Sequence, residues 1–206
     1  LQAGIPIARS ELLCATTMAA LNRHNKTAYR EAPTLFLEFH GSAASVVEQA
    51  KAVQDIAREH GGLDFQWATK PEERSKLWEA RHNAYFACLQ LKPGSRALST
   101  DVCVPISRLA ECVTETAKDI ERASLPVPLF GHVGDGNFHL VILIDPSKPA
   151  ELEEAKAINV RVVERALAMD GTCTGEHGVG IGKQPYLRKE LGDDVISIMR
   201  DIKQVL

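Results

Sequence analysis

Aromatic side chains are scarce in this chain, at 5% of 206 residues, so leucine, valine, isoleucine and alanine must supply most of any core. A basic excess is also missing. The net charge is −3 and the pI near 6.2, which argues against a polyanion binder, because nucleic-acid surfaces carry Lys and Arg in surplus. No apolar run approaches the roughly 20 residues that a membrane-spanning helix needs, and no signal or transit peptide is visible. None of the five cysteines (Cys14, Cys88, Cys103, Cys112, Cys173) forms a C-x-x-C pair. An odd number at such spacings suits free thiols in a reducing compartment better than disulfides or a thiolate zinc site. They read as small buried hydrophobes. An initiator and a stop signal are lacking too: Leu1 opens the chain, and residues 202–206 end it inside a helical pattern. The expectation is therefore a fragment of a longer protein. With no repeat, low-complexity tract or linker, one compact unit over residues 1–206 is the simplest partition.

What is present suits an ordinary globular protein, 45% hydrophobic and 25% charged. Leu12, Leu13, Ala15, Met18 and Leu21 have helical spacing, which predicts a helix over 10–23 capped by Ser10. Thr34–His40 alternates as a strand. Ser42–His60 carries Val46, Val47, Ala50, Val53, Ile56 and Ala57 on one helical face and ends at Gly61-Gly62. Residues 63–68 read as a short strand. Pro71 opens a helix to about Leu91, with Glu72 and Glu73 in its first turn. Residues 97–105 are strand-like, and Ser107 caps an amphipathic helix to Ala123. Val127–His132 and Phe138–Ile144 read as a hairpin around a glycine turn. A helix over Pro149–Met169, a glycine-rich loop over Gly171–Gly182 and a helix over Pro185–Leu206, interrupted near Gly192, complete the chain. The order predicts an α+β fold, a ferredoxin-like layer with helices on one face of a largely antiparallel sheet.

Two segments carry chemistry. In Gly131-His132-Val133-Gly134-Asp135-Gly136-Asn137-Phe138-His139, two histidines flank the turn. A hairpin brings such ends close, so both imidazoles can face one point, and imidazole is a common ligand for Zn²⁺, Mn²⁺ or Fe²⁺. The alternative is a turn bordered by two hydrogen-bonded histidines. The second segment is Gly171-Thr172-Cys173-Thr174-Gly175-Glu176-His177-Gly178-Val179-Gly180-Ile181-Gly182-Lys183. It is not a P-loop, because His177 stands where the first glycine belongs and Gln184 follows Lys183. Its glycines also miss the dinucleotide spacing. What remains is Glu-His among glycines: a metal ligand and a base on neighbouring residues, or a flexible surface loop. His132, His139 and Glu176 together make a two-His, one-carboxylate set that leaves coordination positions open for substrate. An anionic substrate also wants a guanidinium. Arg81, mid-helix in LWEARHN, offers one, or is a surface arginine paired with a nearby acid.

At these residues the sequence resembles the FAD-linked oxidase C-terminal domain family, within the vanillyl-alcohol-oxidase type flavoproteins, and most of all D-lactate dehydrogenases and glycolate oxidase subunits. The likeness rests on TLFLEFHG, LWEARHNAYFA, STDVCVPISRL, GHVGDGNFH and GTCTGEHGVGIGK, in that order from Thr34 to Lys183. The resemblance implies that His132, His139 and Glu176 hold a divalent metal (Zn, Mn or Fe), that His177 is the base and that Arg81 binds the substrate carboxylate. Some relatives acting on longer diacids carry lysine two positions before the strand aspartate; this chain has Ser99 before Asp101, which favours a small monoacid. The FAD of such proteins is bound mainly by an N-terminal domain, here expected as a partner, so the chain alone should not turn over.

The expectation is thus the substrate-capping part of an FAD-dependent 2-hydroxy-acid dehydrogenase acting on D-lactate, glycolate or a similar short 2-hydroxy acid. Two rivals remain open from the residues: a metal-dependent hydrolase, which would need no flavin domain, and a non-catalytic module stapled by its metal. The expected location is the bacterial cytoplasm, peripheral to a membrane, or the mitochondrion in a eukaryote. Homodimer formation and the identity of the electron acceptor are left open.

Overall fold

The computed structural model describes residues 1–63 and 65–206. In chain order the elements are β1 (Ile7–Leu13), α1 (Ala15–Asn25), β2 (Thr34–Phe39), α2 (Ala43–Glu59), α3 (Pro71–His82), α4 (Ala84–Leu89), β3 (Arg96–Ser99) and β4 (Val102–Cys103). There follow α5 (Ile106–Ile120), β5 (Leu129–Gly131), β6 (Asn137–Ile144), α6 (Pro149–Leu167) and α7 (Gln184–Val205). The chain divides into two compact units, Leu1–Gly94 with Pro128–Gly134, and Ser95–Val127 with Asp135–Leu206. No composition shift marks the crossings. Within each unit the strand pairings are antiparallel among the described residues, so the α+β reading is borne out.

In the first unit β1 lies between β2 and β5. The helix expected from Ser10 begins only at Ala15, with Cys14 as its N-cap. Leu12, Ala15, Met18 and Leu21 do keep a helical period, but residues 9–13 pair with Glu38 through Thr34 on one side, and Leu12 and Leu13 pair with β5 on the other. Strand pairing from distant parts of the chain overrides the local period. Along β1, Glu11 and Leu13 are both buried while Arg9 is exposed, so a carboxylate shares the inward face with a core leucine. Helix α1 packs on α3, α4 and β5, enclosing Met18, Leu21, Ala80, Ala84, Ala87 and Cys88. The helix expected to run from Pro71 to Leu91 breaks at Asn83, whose φ of −80° and ψ of 0° leave the helical region. No strand forms at residue 63 or at 65–68, and residue 64 lies outside the described residues. Leu63, Phe65 and Trp67 do alternate with polar residues, but among the described residues no strand pairs with them.

The second unit is built on β6, buried along all eight residues. Phe138, Leu140 and Ile142 alternate on one face, Asn137, His139, Val141 and Leu143 on the other. Each fully buried large side chain contributes about 1.5–3 kcal/mol, so this strand anchors the unit. Both β3 and β4 pair with β6 in one continuous register, Ser99 opposite Val141 and Val102 opposite Phe138. That register sets Asp101, in the gap between them, opposite His139. Helix α6 packs on β4, β6 and α5 through Ala155, Ile158, Val162, Val163 and Ala166, an i, i+3, i+7 stripe. Helix α5 is capped by Pro105 rather than Ser107. Helix α7 is interrupted at Gly192, as the sequence suggests, with φ 78° and ψ 172°.

All five cysteines are free thiols. Burial above all pushes the Cys88 thiol up to about 12 and the Cys112 thiol up to about 11. A raised pKa keeps the thiol protonated. At about pH 8 the reactive thiolate of Cys88 is then roughly one part in ten thousand. In the folded protein neither cysteine should be alkylated by iodoacetamide, and both should react after denaturation. Mass spectrometry of the labelled peptides checks this.

Candidate functional site

The second unit gathers three of the expected site residues. His139 sits on the buried central strand. Its Nδ1 donates to the Thr100 carbonyl at 3.1 Å, so in the neutral ring the lone pair lies on Nε2. That atom is 3.0 Å from Glu176 Oε1. Burial, the largest influence, holds the His139 pKa below its ordinary value despite the Thr100 carbonyl and nearby Asp101, which favours the neutral imidazole. A neutral imidazole lone pair facing a carboxylate oxygen is the pair of donors a divalent cation takes up. Around a tetrahedral Zn²⁺ with bonds near 2.0–2.2 Å, ligand atoms lie about 3.3 Å apart. The residues fit such an ion. The His177 ring stacks on His139 at 4.9 Å between centroids and 5° between planes, and its Nε2 is 3.7 Å from Glu176 Oε1.

The loop that delivers Glu176 and His177 is held by Asp101, which the sequence reading used only to locate Ser99. Its Oδ1 accepts from Asn137 Nδ2 at 2.8 Å and from the Glu176 backbone N–H at 3.2 Å. Its Oδ2 accepts from Thr174 Oγ1 at 3.0 Å, the His177 N–H at 3.0 Å and Lys183 Nζ at 2.9 Å. The Asp101 side chain is fully buried. Burial on its own would raise its pKa, yet the bonds from Lys183, Asn137 and His177 and the Lys183 charge hold it well below the carboxylate range. Ligand atoms of Asp101, His139 and His177 lie within 4.8 Å of one another. Asp101 is nevertheless a poor cation ligand, because both of its oxygens are already committed to N–H and O–H donors. Gly175 is required beside it: a Cβ there would stand 1.8 Å from Asn137 Nδ2. At the loop's start, Thr172 exchanges backbone hydrogen bonds with Cys103 of β4.

The other two expected residues lie in the first unit. His132 Nδ1 is 2.7 Å from Glu11 Oε1. Arg81 reaches the same carboxylate on its other oxygen, with Nε at 2.9 Å and Nη2 at 2.8 Å from Oε2. The guanidinium also lies over the Phe130 ring, 5.0 Å from its centroid. Burial would raise the Glu11 pKa, but the His132 hydrogen bond and the Arg81 charge keep it low. Arg81 is thus only partly exposed, and paired, rather than free on the helix surface. A guanidinium carries five donors, so Glu11 does not exhaust it. Glu11, Asp101 and Lys183 escaped the sequence reading. For Glu11 the one available signal was an acid on the same face as the core residue Leu13, legible only once Ile7–Leu13 is known to be a strand.

Comparison with known proteins matches the whole chain, residues 1–206, to the family described as FAD linked oxidases, C-terminal domain. Over 206 residues the chain is 50% identical to a Danio rerio protein named "Probable D-lactate dehydrogenase, mitochondrial", covering all of this chain and 41% of that protein. It is 46% identical, again over its full length, to "D-lactate dehydrogenase [cytochrome], mitochondrial" of Arabidopsis thaliana, covering 36% of that protein. It is 32% identical over 169 residues to "Glycolate oxidase subunit GlcD" of Bacillus subtilis, covering 82% of this chain and 36% of that one. The chain thus spans about two fifths of the length of such relatives.

Proposed function

This chain belongs to the FAD linked oxidase C-terminal domain family, and from that premise we propose that it is the substrate-capping part of an FAD-dependent 2-hydroxy-acid dehydrogenase. The substrate in this reading is D-lactate, glycolate or a similar short 2-hydroxy acid, converted to the 2-oxo acid. The observation that carries it is the grouping of an oriented His139, the Glu176 carboxylate and the His177 ring on one buried strand and one clamped loop. The names of the relatives point to the same substrates. Location follows two of those names as well and is proposed to be mitochondrial.

His139 Nε2 and Glu176 Oε1 would hold a divalent cation of the Zn, Mn or Fe class, with His132 as the third ligand by its place in the motif. When bound, such a cation supplies Lewis acidity that lowers the pKa of the substrate hydroxyl, and FAD, held by an N-terminal partner domain, supplies two-electron acceptance. The residues of the chain do the rest. The Arg81 donors that Glu11 leaves over pair with the substrate carboxylate and fix the orientation of C2. His177 takes the proton of the α-hydroxyl on a ring nitrogen. Asp101 keeps that imidazole in place by holding the backbone on which it rides.

The test is flavin bleaching by D-lactate and by glycolate in the full-length flavoprotein, before and after chelation. Chelation is expected to slow bleaching by roughly a hundredfold or more, in line with the several kcal/mol a Lewis acid is worth, and Zn²⁺, Mn²⁺ or Fe²⁺ should restore it. An enzyme shown by elemental analysis to be metal-free yet bleaching at its original rate would end the metal role. Absence of bleaching by every short 2-hydroxy acid would end the substrate assignment.

A further inference from the structure

Within the first unit, three side chains from separate parts of the chain form a relay. Arg81 on α3, Glu11 on β1 and His132 just after β5 meet through one carboxylate, with Oε2 facing the guanidinium and Oε1 facing the imidazole. The Glu11 side chain is 6% exposed and that of Arg81 12%, while that of His132 is 37%. The acid is therefore locked inside and the imidazole is the member that reaches outward. A carboxylate is an acceptor only, so at 2.7 Å the proton between them belongs on His132 Nδ1. In the neutral ring that leaves the lone pair on Nε2. Arg81 fixes the carboxylate rotamer in turn, because the two nitrogens it turns to Glu11, Nε and Nη2, both fall on the oxygen that His132 does not use.

We propose that Glu11 is a positioning residue that sets the tautomer and ring orientation of His132 for cation binding, and that Arg81 holds Glu11 for that purpose in addition to any contact with substrate. The proposal rests on the metal reading given above, for what His132 is oriented toward. Ligating histidines commonly carry such a carboxylate behind them, and losing it typically costs 10–100-fold in metal affinity. His139 has its own orienting acceptor, the Thr100 carbonyl. The two histidines of the motif are thus poised by different devices, one by neutral backbone and one by a charged side chain. Only the second can be removed by a side-chain substitution.

The experiment uses the full-length flavoprotein with ¹⁵N-labelled histidine, stripped of metal, at a pH near 8, where imidazole is neutral. His132, assigned by its loss in His132→Gln, should show the Nδ1–H tautomer in the wild type. In Glu11→Gln the amide NH₂ must face either Arg81 or the imidazole, so the tautomer preference should weaken and Zn²⁺ or Mn²⁺ affinity should fall 10–100-fold. If Glu11→Gln fails to fold, the wild-type spectrum alone decides: an Nε2–H tautomer of His132 overturns the proposal. So does a folded Glu11→Gln with unchanged tautomer and unchanged metal affinity. A wild type that binds no divalent metal in titration would sink the metal reading instead, while the tautomer comparison would still decide whether Glu11 orients His132.

Discussion

Replacing His177 by alanine in the full-length flavoprotein should lower kcat by about 10²–10⁴-fold, the usual worth of a positioned general base. The size of the effect follows from what the substitution removes and what it leaves. The backbone N–H of His177 donates to Asp101, and alanine keeps that bond, so the loop should stay in place. Glu176 keeps its own N–H on the same carboxylate and its oxygen beside His139. Metal content and flavin content should therefore be nearly unchanged, and KM for the hydroxy acid should move little compared with kcat. The lost stacking partner of His139 is worth only about 0.5–1.5 kcal/mol, too little to mimic the loss of a base. Single-turnover flavin bleaching, with metal content measured on the same sample, separates the cases. Near-normal kcat in a metal-loaded variant removes His177 from the role of base; low kcat with lost metal would show that the ring serves the ion instead.

Much of this site was legible before the fold was known, and the reason is local. The motifs GHVGDGNFH and GTCTGEHGVGIGK hold their ligand-type residues in short stretches whose glycines announce unusual backbone. The boundaries of β6, α2, α6 and the break at Gly192 likewise follow from patterns contained within a few turns or pleats. What escaped depends on residues far apart. Glu11 was placed on a helix because Leu12, Ala15, Met18 and Leu21 keep one period across a strand and a helix. Its true environment is set by Arg81, 70 residues on, and His132, 121 residues on. Lys183 served only to reject a phosphate-binding pattern, although its ammonium closes the loop on Asp101. The division into two units was equally silent, because the chain crosses at ordinary turns rather than through a linker.

Asp101 exposes the same blindness most sharply, and it yields the second large expected effect. Asp101→Asn keeps volume and one acceptor oxygen but turns the other into a donor. Oxygen Oδ2 now serves Thr174 Oγ1, the His177 N–H and Lys183 Nζ, so an NH₂ in its place leaves the last two facing another donor. Thr174 can turn its hydroxyl to accept instead. Breaking a buried ion pair from one side costs about 3–5 kcal/mol. Lys183 retains some exposure, 18%, and can reach water, which puts the stability loss near the low end of that range. The functional loss should be larger than a stability change alone explains. Both Glu176 and His177 hang from N–H groups bound to this carboxylate, and a displacement of about 1 Å in such a group can cost roughly 100-fold in rate. At a temperature where the variant remains folded, kcat/KM is expected to fall by about that factor, with metal affinity weakened as well. Lys183→Met is the instructive partner. It leaves Asp101 charged and still bonded to Asn137, Thr174 and both backbone N–H groups, so it should cost stability but much less rate. Equal rate losses in the two variants would mean that the ion pair, rather than the backbone clamp, holds the loop.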